Sequence, residues 1–74
     1  MQLISRIVEY GNNQNRYCQK CLKTIDGLLY NVALNQNIRV LYEGRCIECK
    51  VIDINDSVYD DVIYRYIEVV LINN

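Results

Sequence analysis

Four cysteines carry the clearest chemistry in this chain. They fall into two C-x-x-C pairs, Cys18-Gln19-Lys20-Cys21 and Cys46-Ile47-Glu48-Cys49, with 24 residues between the pairs. Two intervening residues let a tight turn aim both sulfurs at one point, and four thiolates suit the tetrahedral preference of zinc. The expected metal set is Cys18, Cys21, Cys46 and Cys49, holding one structural Zn2+. Four thiolates fill the coordination sphere, so such a site stabilises the fold and leaves no place for a reacting water. Metal and fold would then be linked, and chelation would unfold the region from 16 to 50. Two other readings stand beside it. Cysteine is a good small core residue. If Arg45–Val51 is a plain strand, Cys46 and Cys49 point to opposite faces and cannot share a metal without a bend. A redox dithiol is the third reading, although the βαβ context that usually carries one is not seen.

The spacing of Cys18, Cys21, Cys46 and Cys49 resembles that of zinc ribbons, over roughly residues 16–50. The glycine that commonly follows the second cysteine of a zinc knuckle is replaced by Leu22 and Lys50. The stretch Val40–Asp53 is similar to the central hairpin of SH3-like and Tudor-like barrels: an apolar strand, the turn Glu43-Gly44, and an alternating second strand. That resemblance implies a barrel with free cysteines and no metal.

Three further groups of side chains merit attention. Arg16, Lys20 and Lys23 flank the first cysteine pair together with Tyr17 and suit phosphate contact or base stacking. The simpler reading is that they offset thiolate charge. Tyr59, Tyr64 and Tyr66, with Asp56, Asp60 and Asp61, form the candidate partner surface, because tyrosine buries area while keeping a polar tip. Tyr64 and Tyr66 share one face of a strand; core packing is the alternative. The acidic run Asp53, Asp56, Asp60 and Asp61 lacks the glycine and terminal glutamate of an EF-hand loop, and reads as a solvated loop or a face for a basic partner. Catalysis finds no support: the chain has no histidine, no serine with an evident base and no glycine-rich phosphate loop.

The elements that must position these residues follow from the alternation of apolar and β-branched residues. Strands are expected at 2–10, 28–34, 38–43, 50–54 and 62–72. Turns are expected at Asp26-Gly27 and Asn35-Gln36-Asn37, and an acidic loop at 55–61. Ser57 followed by Asp60 looks like a capping box, and Val58, Val62, Tyr66 and Val70 recur at helical spacing. A helical turn over 57–62 is therefore the alternative there. The fold class is all-β, a small zinc-ribbon-like or SH3-like sheet of about five antiparallel strands. It forms a single domain over 1–74.

Length and composition bound the rest. A chain of 74 residues has little stability to spare, although 51% hydrophobic residues supply a core. Eight basic against nine acidic residues argue against a strongly basic nucleic-acid binder. No signal peptide or membrane-spanning run is visible, so the expected setting is cytoplasmic and reducing. Ten isoleucines, nine asparagines and seven tyrosines, without proline or phenylalanine, are common in AT-rich genomes, including those behind many small phage proteins. The functional expectation is a zinc-stabilised protein–protein interaction module, of the kind that modulates or inhibits a larger host machine. A nucleic-acid-binding zinc ribbon is the alternative. The end strands 2–10 and 62–72, read as long apolar edges, would also invite homodimerisation.

Overall fold

A computed structural model describes residues 2–10, 20–29 and 31–72. It is all-β, with five strands in one sheet: β1 (Gln2–Glu9), β2 (Cys21–Asp26), β3 (Asn37–Tyr42), β4 (Arg45–Tyr59) and β5 (Val62–Leu71). The strand order is β2-β1-β5-β4-β3. The two edge strands also contact each other, which curls the sheet almost into a barrel.

Two tight hairpins set the register. Tyr42 pairs with Arg45 across Glu43-Gly44, and Tyr59 pairs with Val62 across Asp60-Asp61. All four turn residues have positive φ, at 51°, 75°, 52° and 62°. Positive φ at both central residues defines the type I′ turn, whose twist matches that of the flanking strands. Asp60-Asp61 is thus a two-residue turn, and Ser57–Tyr59 belong to β4; the helical alternative over 57–62 is not realised. The acidic segment from Asn55 to Tyr59 is likewise strand, because β5 supplies a pairing partner for each residue.

β4 is long enough to serve two neighbours. Its first half pairs with β3, and from Cys49 onward it pairs with β5. A bulge between Val51 and Asp53 interrupts the second ladder. Such a bulge bends the strand and sharpens its twist, which helps a single sheet coil on itself.

β1 pairs with β5 in parallel, in contrast to the all-antiparallel expectation. The reason is topological: β5 is reached from β3 through two hairpins, so it runs in the direction of β3 and of β1. β1 and β5 are therefore interior strands, and the exposed edges expected at 2–10 and 62–72 are instead β2 and β3.

The described residues of the apolar run Leu28–Leu34 form no strand. They lie in the crossover from β2 to β3, where Leu29 and Val32 pack against the core. Four hydrogen bonds pin its start. The Ser5 hydroxyl, fully buried, donates to Gly27 O at 2.7 Å and accepts from Leu29 N at 3.0 Å. Gly27 adopts φ +94°, and its N–H bonds Leu3 O at 2.7 Å. Arg65 Nη1 donates to Leu29 O at 2.8 Å. The crossover ends in a turn tied to β4: Asn35 N donates to Val51 O, and Val51 N donates to Gln36 O.

The core sits on the concave face. Ile7, Leu22, Val40, Cys49, Val51, Ile67 and Val69 form its buried centre. No helix among the described residues is long and apolar enough to cross a membrane.

Candidate binding groove

β4 is continuous from Arg45, so strand alternation separates Cys46 from Cys49. Cys49 pairs with Ile38, is completely buried, and belongs to the core cluster. Burial, with a smaller contribution from the charge of Glu9, pushes its thiol pKa up, as expected of a packing residue. Cys46 pairs with Leu41 and is exposed. Cys21 is also exposed, with its sulfur 3.5 Å from Thr24 Oγ1 and 3.6 Å from Lys23 O. Cys18 lies outside the described residues. Among the described residues, no three Cys, Asp, Glu or His side chains cluster closely enough to hold a metal. A four-thiolate site would require Cys49 to leave the core.

The basic group is not gathered into one patch among the described residues. Arg16 lies outside them. Lys20 stacks its ammonium over the Tyr42 ring, 4.7 Å from the centroid, bridging from the start of β2 to β3. Lys23 is exposed on β2, where it pairs with Ile7. A cleft of about 670 Å³ opens beside this seam, lined in part by Glu9, Lys20, Tyr42, Arg45, Cys46 and Glu48. Its charges are mixed and largely offset one another.

The tyrosines, by contrast, are brought together. Even-numbered residues of β5 face away from the core, so Tyr64 and Tyr66 sit side by side on the convex face. Their rings stack with centroids 6.1 Å apart and planes 26° apart. The parallel register places Arg6 of β1 opposite Tyr66, and its guanidinium lies 5.1 Å from the centroid of the Tyr64 ring. On the other side, Ser57 pairs with Tyr64, and Tyr59 closes the end at the hairpin. Arg6, Ser57, Val58, Tyr59, Tyr64 and Tyr66 line a groove of about 580 Å³. Val58 and Tyr59 are 66% and 74% exposed at the hairpin tip; alternation puts Tyr59 on the face of Tyr64 and turns the Val58 side chain to the other.

Neither a protein-family model nor any curated protein or solved structure matches this chain. Any functional reading therefore rests on the groove and its neighbours.

The acidic residues divide between two roles. Asp60 and Asp61 are exposed at the tip beside Tyr59. Asp56 is committed to a fork: Arg65 Nε and Nη2 donate to its two oxygens at 2.8 and 2.9 Å. That hydrogen bonding holds the Asp56 carboxyl below its usual pKa, against a smaller opposing effect of burial. The same guanidinium caps Leu29 O, so Asp56 is a structural partner rather than a free surface charge.

Arg6 was not singled out from the sequence. Its position depends on the parallel β1–β5 pairing, for which no local signal exists. The shared face of Tyr64 and Tyr66 was legible, because a spacing of two fixes it once the strand is recognised.

Proposed function

We propose that this chain is a non-catalytic protein-binding module whose contact surface is the tyrosine groove between β1, β5 and the β4–β5 hairpin. The observation that carries this reading is the convergence of Tyr59, Tyr64 and Tyr66 with Arg6 in one groove, beside an exposed apolar tip. Tyrosine and arginine are the residues most enriched where partners dock, because each buries large area and offers a polar end. In this reading the hydrophobic core holds the fold without metal, and Cys49 is one of its packing residues. The opposite facing of Cys46 and Cys49 supports that reading.

A nucleic-acid role is less well supported. Polyanion binding needs several unpaired cations along one track. Here Lys20 is drawn onto Tyr42, and Asp60 and Asp61 stand at the groove's end.

The test is affinity capture from the native cell with the wild-type chain and with a Tyr59→Ser/Tyr64→Ser variant of verified fold. The reading expects a partner that the variant loses. A partner retained by the variant at full strength would assign the contact surface elsewhere.

A further inference from the structure

We infer that the tyrosine groove takes an extended peptide segment of a partner protein and that Arg6 receives a carboxylate from it, an Asp or Glu side chain. This rests on the groove being the contact surface, and it names the chemistry recognised there.

Arg6 Nε is shut off from water and has no hydrogen-bond partner. Such a buried, unmade bond on a charged group is costly and is normally satisfied. The guanidinium is planar and lies over Tyr64, which fixes its orientation and leaves a preorganised cation along the groove. Among the described residues no carboxylate forms an ion pair with Arg6, whereas Arg65 and Arg39 each have one, Asp56 and Glu48. An arriving carboxylate would meet the guanidinium where Arg6 lines the groove, beside the enclosed Nε, and compensate its charge; Ser57, Tyr59, Tyr64 and Tyr66, which line the same groove, each carry a hydroxyl able to donate as well.

The same features exclude other occupants. A cationic ligand seeking the tyrosine faces would meet Arg6, already stacked on Tyr64. A polyphosphate or nucleic acid would meet the exposed pair Asp60-Asp61. One carboxylate flanked by apolar side chains fits: the charge reaches Arg6 and the apolar neighbours cover the tyrosine rings. The outer strands β2 and β3 are not needed for such a contact, so the segment docks on side chains and does not extend the sheet.

The test uses the whole chain and a displayed library of random octapeptides. Peptides that shift the amide resonances of Ser57, Tyr59, Tyr64 and Tyr66 are sequenced, and each is compared with its Glu→Gln or Asp→Asn version. The inference expects an acidic residue in the selected peptides. Its amidation should weaken binding about tenfold or more, the scale of one charge-assisted hydrogen bond. Arg6→Gln should lose a similar factor. The Arg6 Nε–H resonance of the wild type, which needs no variant, should move on adding the acidic peptide and stay in place with the amidated one. Groove-binding peptides that lack an acidic residue, or bind Arg6→Gln equally well, would overturn the carboxylate and leave the groove standing. A selection in which no peptide shifts groove resonances would overturn the groove itself.

Discussion

Replacing Cys49 separates packing from metal ligation. Cys49 is completely buried and forms part of the core cluster with Val51, Ile67 and Val69. Its sulfur is 3.9 Å from Ile47 O, too far for a hydroxyl in its place to make a good hydrogen bond. Cys49→Ser would therefore bury an unsatisfied hydroxyl, at about 1–3 kcal/mol. A domain of this size has only about 4–11 kcal/mol in all. The loss corresponds to a fall in Tm of roughly 5–20 °C. Cys49→Val keeps an apolar side chain of similar volume and should cost less than about 1.5 kcal/mol. Cys46→Ser lies on the exposed face and should stay within about 0.5 kcal/mol of wild type. Thermal and urea melts of the three variants, with and without chelator, and elemental analysis of protein purified without chelator, supply the readout. The packing account expects serine to be worse than valine at 49, little effect at 46, no stoichiometric zinc, and a Tm insensitive to chelator. It would be refuted by one zinc per chain together with equal, severe losses for Cys49→Val and Cys46→Ser, since only a shared metal treats those two positions alike.

Other outcomes follow from particular contacts. Ser5→Ala strips the partner from Gly27 O and Leu29 N and should cost about 1–3 kcal/mol by urea melt, with faster hydrogen exchange at Leu29. At the hairpins, Gly44→Ala should destabilise and Asp61→Gly should stabilise, each by about 1 kcal/mol, because both positions require positive φ. Asp56 has a depressed pKa in the folded state, so its contribution is present above the ordinary carboxylate range and is lost as pH falls through the folded value. Asp56→Asn should accordingly flatten the acid side of the stability–pH curve. Cys49 is the opposite case: with a raised thiol pKa, its contribution is full below the ordinary thiol range and declines as pH rises through it. In the native state, Cys21 and Cys46 should react with a thiol reagent well before Cys49.

Much of the sheet was legible in the sequence because period-2 alternation is local. Strands at 2–10, 38–43 and 62–72 are found within a residue of their expected limits. The Glu43-Gly44 turn was legible from its glycine. Leu28–Leu34 misled, since apolar content there serves to cover the core from a crossover, held by Ser5 and Arg65 at distant positions. The Asn55–Tyr59 segment misled in the other direction. Its polar residues read as loop, yet partners in β5 keep it extended, and Asp60-Asp61 turns without a glycine. The facing of Cys46 and Cys49 was legible only as one of two alternatives, because the spacing fits both a knuckle and a strand. The groove was half legible: the tyrosines by parity, Arg6 not at all.

The most direct test of the groove is a map of amide shifts on the isotopically labelled chain when its captured partner is added. The account predicts that the largest shifts fall on Arg6, Ser57, Tyr59, Tyr64 and Tyr66. Shifts confined to the cleft of Lys20, Tyr42 and Cys46, with the groove unmoved, would contradict it.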